Sequence, residues 1–192
     1  YTVSYAGPAG IYSGNLISQF EILDNSNLSE KTIYSYNSDN KLSSLIDLNY
    51  ISSIGNKVVY TYNTDGTISS INYRGDLINQ TTIVSNNLIT INNGEVASLV
   101  EHIGTTTKTS VYTYDNKNAP FKNVTGMDKV SYGVVGTFSS AINHNIIQTT
   151  RTTNSSPGFT TTIQYNYNSS DYPTSETVTT NGTSNQSTQY YY

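Results

Sequence analysis

Two histidines, thirteen acidic residues and eighteen tyrosines are the side chains of this 192-residue chain with chemistry to offer. His102 and His144 stand far apart, with no second imidazole, thiol or carboxylate cluster at ligand spacing. A zinc site wants three or four such donors, so neither histidine reads as a ligand. Glu101 and His102 are adjacent, and on a strand they would point to opposite faces. Both histidines are expected at the surface. Asp39, Asp65, Asp115 and Asp171 recur at comparable places in the chain. Each place supplies one or two acids, against the six to eight oxygens that Ca²⁺ takes, so they read as turn chemistry. No GxSxG elbow, HExxH or P-loop occurs. A glycosidase needs two carboxylates on facing elements, and nothing in the spacing singles out such a pair. Seven Asn-x-Ser/Thr sequons (Asn27, Asn79, Asn123, Asn154, Asn168, Asn181 and Asn185) match what 24 asparagines yield by chance in so Ser- and Thr-rich a chain. The reading is therefore no catalytic residue, no cofactor and no metal.

The tyrosines are the best candidates for binding, because each ring joins apolar area to a hydroxyl. Eight of them sit at the same two places in every repeat, which favours packing over recognition. Tyr50, Tyr73, Tyr132 and Tyr172 lie outside the repeated places. Of these, Tyr73 and Tyr132 are selected as ligand-facing aromatics.

The repeat itself is a tyrosine couplet: Tyr34-Ser35-Tyr36, Tyr60-Thr61-Tyr62, Tyr112-Thr113-Tyr114 and Tyr165-Asn166-Tyr167. The first tyrosines are spaced 26, 52 and 53 residues apart, a period of about 26 with two weaker copies between. Periods of roughly 20–50 residues mark repeats that bury their faces only against their neighbours. Behind the couplets come Asn37-Ser38-Asp39-Asn40, Asn63-Thr64-Asp65-Gly66, Asp115-Asn116-Lys117-Asn118 and Asn168-Ser169-Ser170-Asp171. The leading Asn or Asp can bond the backbone two residues on and open a type I turn. The fourth residue is Asn, Gly or Asp, the types that tolerate left-handed angles. A type I turn closed by such a residue is the bulged hairpin. Apolar-rich second strands follow, with Leu42, Leu45, Ile46 and Leu48 after one corner and Ile68, Ile71 and Tyr73 after the next. Each couplet is therefore expected to open a β-hairpin.

Among the weaker copies, Ile89 to Val96 alternates and carries Asn93-Gly94, a two-residue hairpin signal. Gly136 to Ser140 echoes Gly66 to Ser70, though Val134-Val135 would turn poorly. Ser187 to Tyr192 looks like the opening strand of a further unit. The rhythm breaks over 119–157, where Pro120 suits an edge or strand entry. This stretch is expected to be an irregular insertion, either a cover for the sheet or a functional lid. Ser139 to Gln148 carries Ala141, Ile142, Asn145 and Ile146 at helical spacing and could form a short helix.

Alternation puts both tyrosines of a couplet on one face and Ser35, Thr61, Thr113 and Asn166 on the other. An inward Tyr face with a Ser/Thr face in water fits that pattern, and neither face offers a clean lipid band. No apolar run approaches the roughly 18 residues of a membrane helix. Charged residues are only 11% of the chain, and the net charge is −4 with nine basic residues. Nucleic acid, whose phosphates need a basic track, is disfavoured as a partner. There is no cysteine, hence neither disulfide nor thiolate chemistry. The chain starts at Tyr1, and its one methionine is Met127. A removed leader or a lipid anchor upstream of residue 1 is therefore expected.

The strings YSYNSDNKLSSL, YTYNTDGTISSI and YTYDNKNAPFKNV resemble the YD-repeat units of the Rhs and teneurin type. More closely, Tyr114-Asp115-Asn116-Lys117-Asn118-Ala119-Pro120-Phe121 resembles a Tyr-Asp-x-Lys-x-x-Pro-Phe stretch found mid-domain in uncharacterised surface lipoproteins of Bacteroidetes. The resemblance covers roughly residues 30–190. It implies an exported domain of hairpins curling into an open, barrel-like sheet, with no assigned activity and no catalytic residues to carry over. Asn replaces Asp in three couplets and Gly survives at one strong corner, which departs from the Rhs pattern.

Together these readings predict an all-β antiparallel meander of successive hairpins in a curled, open barrel-like sheet. One domain spans 1–192, with an N-terminal segment over 1–30 and the insertion over 119–157. The expected role is a non-enzymatic exported module at the extracellular or outer-membrane surface, offering a binding or scaffolding surface to a glycan or an envelope protein. The alternatives are a carbohydrate-active enzyme and a shell fragment of a larger repeat assembly.

Overall fold

The computed structural model describes residues 11–132, 141–154 and 156–191. Strands β1 (Ile11–Ser13), β2 (Leu16–Asp24), β3 (Asn27–Tyr36), β4 (Leu42–Asn49), β5 (Ile54–Tyr62), β6 (Ile68–Gly75), β7 (Gln80–Asn92), β8 (Glu95–Ile103) and β9 (Thr106–Asn118) come first. A single helical turn, α1 (Met127–Val130), precedes β10 (His144–Thr153), β11 (Ser156–Tyr167), β12 (Pro173–Thr180) and β13 (Thr183–Gln189). All thirteen strands lie in one sheet in the order of the chain, each antiparallel to the next. Among the described residues β1 and β13 do not pair, so the sheet is an open meander rather than a closed barrel.

Three of the four corners form as the sequence predicts. Asn40 (φ 58°), Gly66 (φ 86°) and Asp171 (φ 62°) all take left-handed angles. The Asn37 side-chain oxygen accepts the N–H groups of Asp39 and Lys41, both at 3.0 Å. Asn168 repeats the arrangement with Ser170 and Tyr172, at 2.9 and 3.0 Å. Asn93 (φ 50°) and Gly94 (φ 78°) make the two-residue turn between β7 and β8.

The fourth corner departs from expectation. Asp115 to Asn118 continue β9 instead of turning it. Asp115 still accepts the Lys117 N–H at 2.9 Å, so the local turn chemistry is there. The return strand cannot start because Pro120 brings no N–H and holds Ala119 extended. The chain therefore leaves the sheet, and among the described residues it rejoins at His144, which pairs with Asn118. The irregular stretch is accordingly shorter than 119–157, since β10 and β11 occupy its second half. The short helix that 139–148 could have formed is absent from its described part, for His144 to Gln148 lie in β10. Ile146, Ile147 and the following threonines are β-branched, and the edge of β9 is there to pair with. The echo at Gly136 to Ser140 lies outside the described residues.

Alternation sorts the two faces. Tyr34 and Tyr60 are each only 6% exposed, and Tyr36, Tyr62 and Tyr112 pack against the same core with Leu42, Leu45, Val58, Ile68 and Ile89. Ser35, Thr61, Thr113 and Asn166 are exposed on the opposite face. The inner face also carries buried polar side chains, with Ser70 directly opposite Tyr60, and Asn72, Ser85, Asn87 and Ser110 near it. Asn87 donates to the Ser70 hydroxyl at 3.0 Å, and the Arg151 Nε to that of Ser110 at 3.2 Å. The outer face carries cross-strand apolar pairs too: Ile33 with Ile46, Val59 with Ile71, and Leu88 with Val100.

Candidate functional site

Tyrosine hydroxyls fasten each couplet strand to the strand before it. Tyr36 donates to the Ile17 carbonyl (2.6 Å), Tyr62 to Leu42 (3.0 Å), Tyr114 to Val96 (2.8 Å) and Tyr165 to Ile146 (3.2 Å). The rings are thus committed to the wall of the sheet. Their burial favours the neutral phenol: the Tyr34 hydroxyl is pushed up to about 12, mainly by desolvation and then by Asp47. Tyr36, Tyr60, Tyr62, Tyr114, Tyr165 and Tyr167 are raised further, with desolvation the largest cause for each.

Over the couplet end of the inner face lies a strap, residues 119–132, which buries Met127 and Val130 in the core. Gly126 (φ 83°) permits this close fit, because a Cβ there would lie 3.1 Å from the Asn15 carbonyl oxygen. Two carboxylates hold the place where the chain rejoins the sheet. Glu95, at the start of β8 and 6% exposed, accepts the N–H groups of Ile142 (3.1 Å), Asn143 (2.8 Å) and His144 (2.8 Å). The His144 Nδ1 also lies 3.1 Å from it. Asp115 accepts the Asn145 backbone N–H and side-chain amide, both at 3.1 Å, and the hydroxyl of Tyr167. Both acids are therefore structural partners of the returning chain. The sequence carried only half of this: Asp115 was visible as a turn residue, while Glu95 was one acid among thirteen. Its position directly behind Asn93-Gly94, at the head of an apolar strand, was the one signal.

Between the strap and the inner face of β10 to β12 opens a cleft of about 290 Å³. Phe121 from the strap, Tyr165 from β11 and Tyr190 beyond β13 give it aromatic walls, and Met127, Ile146 and Ile163 add apolar ones. Its one charged lining residue is Glu176, which lies opposite Tyr165 across the β11–β12 ladder. The Tyr190 hydroxyl donates to the Glu176 carboxylate at 2.8 Å. Phe121 is 44% exposed, so the cleft is open to solvent along the strap.

The residues singled out by sequence are not brought together. Tyr73 is half-buried on the outer face, opposite Ile83 and Lys57. Tyr132 is half-buried at the end of the strap and packs on the inner core. The sheet separates them, and neither lines the cleft. His102 is exposed, with Nδ1 3.0 Å from the Thr107 hydroxyl, and lies on a strand remote in sequence from His144. Among the described residues no group of three or more His, Cys, Asp or Glu could hold a metal ion. Asp65 serves its corner, accepting the Thr67 N–H (3.0 Å) and hydroxyl (2.7 Å), which hold its carboxyl below the usual range. Asp171 pairs with Lys117 at 2.7 Å and ties the third and fourth corners together. No helix among the described residues is long and apolar enough to cross a membrane.

No family model and no curated protein matches the chain. Among solved structures it is similar to a porin-like protein from Bacteroides uniformis ATCC 8492, with a TM-score of 0.48 and 18% identity, covering 93% of this chain and 72% of that one.

Proposed function

We propose that this chain is a non-enzymatic module of an exported or cell-surface bacterial protein, presenting a binding surface at the strap end of its sheet. The observation that carries the reading is the division of labour among the aromatics. Tyr36, Tyr62 and Tyr114 are turned inward and bonded to backbone carbonyls, whereas Phe121 and Tyr190, with the couplet ring of Tyr165 beside them, line an open cleft. A chain rich in Ser, Thr and Asn and poor in charge is compatible with export. The resemblance to YD-repeat units and to surface lipoprotein domains points the same way, as would a lipid anchor upstream of residue 1. A glycan or an envelope protein is the partner this reading favours. The carbohydrate-hydrolase alternative needs two facing carboxylates, and Glu176 is the single acid on the cleft wall.

Protease shaving of intact cells of the native host tests the location, and a glycan array with a parallel envelope-protein pull-down tests the binding. Surface cleavage, with capture weakened by Phe121→Ala, is expected. Cytoplasmic protection of the chain, or capture indifferent to Phe121, would sink the reading.

A scaffold role is favoured by one separate observation. Edge strand β13 reads Thr-Ser-Asn-Gln-Ser-Thr-Gln, with none of the charges or prolines that usually blunt an edge. Light scattering across a concentration series checks it: self-association supports edge pairing, and a strict monomer counts against it.

A further inference from the structure

We propose that the end of the sheet remote from the strap docks on a neutral phospholipid surface, through isoleucines carried by its hairpin loops. This rim lies apart from the strap and its cleft, and its role is independent of theirs. Strand alternation sends the couplet corners to the strap end and the loops 50–53, 76–79 and 104–105 to the other. Ile51 is 76% exposed and Ile78 84%, and Ile103, which leads into the third loop, is 37% exposed. They stand 27 and 25 residues apart, on the period of the couplets. Successive loops at one end of a meander lie two strand spacings apart, about 10 Å, so the three isoleucines form a row. Ile83 and Val84, exposed on β7, widen it. The loops on either side carry Asn25-Ser26 and Asn154 instead, and the corners at the strap end are polar throughout. Single apolar residues scattered over a surface need no explanation, whereas a row confined to three neighbouring loops of one end marks a contact.

The two most exposed tips are held by hydrogen bonds inside their own loops. One oxygen of Asp76 accepts the N–H groups of Ile78 (2.7 Å) and Asn79 (2.6 Å), and the Gln80 side chain donates to the Asp76 carbonyl at 2.7 Å. In the loop before it, the Asn49 side-chain oxygen accepts the N–H and the hydroxyl of Ser52, both at 2.8 Å. Gly55 brings the two loops together, for a Cβ there would lie 2.4 Å from the Asp76 carbonyl oxygen. Backbone donors at the tips are thus paired before any contact forms, as a water-poor lipid interface demands. Area and charge then decide the occupant. Five aliphatic side chains on loop tips and one strand fall short of the roughly 800 Å² per partner of a stable protein interface. None of them is the Trp, Tyr or Arg that anchors such an interface. A bilayer asks for no matching surface, because each side chain partitions into it separately. Arg74 and Asp76 offset each other at the second loop, and Glu101 lies opposite Lys108 near the third. These four charges cancel, and the chain's net charge of −4 opposes an anionic surface, so neutral head groups are the match.

Flotation of the full chain with dioleoylphosphatidylcholine vesicles tests the proposal. Ile51→Ser and Ile78→Ser should each weaken partitioning several-fold, and their combination should remove it, with circular dichroism and thermal melting unchanged. The chain has no tryptophan, so Ile78→Trp supplies a single reporter. Its emission should move to the blue on mixing and be quenched by lipid brominated on the acyl chain. Ser38→Trp, at an exposed corner of the strap end, should show neither effect. Added anionic lipid should not strengthen binding. No flotation of the folded chain, flotation indifferent to both serine variants, binding that requires anionic lipid, or equal responses from the two tryptophan variants would each overturn the proposal. So would serine variants that change the oligomeric state in light scattering while no vesicle binding occurs, which would assign the rim to a contact between copies.

Discussion

The hydroxyl of Tyr62, on β5, donates to the backbone carbonyl of Leu42, at the start of β4, across 3.0 Å. The same hydroxyl-to-preceding-strand bond recurs at Tyr36, Tyr114 and Tyr165. A tyrosine in this place therefore both fills the inner face and closes a main-chain acceptor near the strand end. Phenylalanine would supply the first and lose the second. Tyr62→Phe should cost about 1 kcal/mol in chemical denaturation, whereas Tyr62→Ala should cost about 3 kcal/mol by opening a cavity as well. Equal losses for the two variants would show that the hydroxyl contributes nothing.

Gly66 isolates backbone strain from crowding, because an added Cβ meets nothing within 4 Å while φ stands at 86°. Gly66→Val should destabilise by more than about 1 kcal/mol, since a β-branched residue resists left-handed angles. Gly66→Asn should lose far less. Asn40 already holds the equivalent corner at φ 58°. Thermal melts that rank the two variants in the opposite order would contradict the corner assignment.

Replacing Glu95 with Gln keeps one acceptor oxygen and turns an NH₂ group toward N–H donors. The neighbouring N–H groups of Ile142, Asn143 and His144 then compete for that oxygen. A loss of roughly 2 kcal/mol is expected for such a buried, charge-assisted set. Hydrogen exchange should quicken first at residues 142–144, ahead of the sheet. Uniform acceleration across all strands would instead assign Glu95 a global role.

Alkaline pH gives a further check with a definite sign. Burial, with Asp47 nearby, pushes the Tyr34 hydroxyl up to about 12 in the folded chain, against about 10 when unfolded. A raised folded value means that the stabilisation is whole below about 10 and is lost as pH climbs toward 12. Six more couplet tyrosines share that direction. Tyrosinate absorbance from these seven rings should therefore appear only with cooperative unfolding, in step with the loss of circular dichroism. A single smooth titration near 10 would show the rings to be solvated.

The hairpin corners were legible because local chemistry decides them: an Asn or Asp side chain that accepts a backbone N–H two residues on (Asn37, Asn168 and, at the second corner, Asp65), and a residue at ease with positive φ. Asp115 carried the same signature and still failed, for Pro120 five residues later denied the return strand its start. Period and propensity do not register that veto, and the strap it created is where the cleft lies. Nor could sequence find Glu95, Phe121 and Glu176, whose roles come from strands and loops distant along the chain. Tyr73 and Tyr132 were selected for being outside the repeat, a criterion blind to which face each would occupy.

Every strand of the sheet has only its sequence neighbours beside it. Topology of this kind lets a gene gain or lose whole hairpins without rewiring any existing contact, as in other linear arrays. The excursion after β9 is the exception, since Asp171 and Lys117 bridge corners 54 residues apart. Length is thus free to drift on either side of that clasp, while duplication or deletion through it would dismantle the strap end.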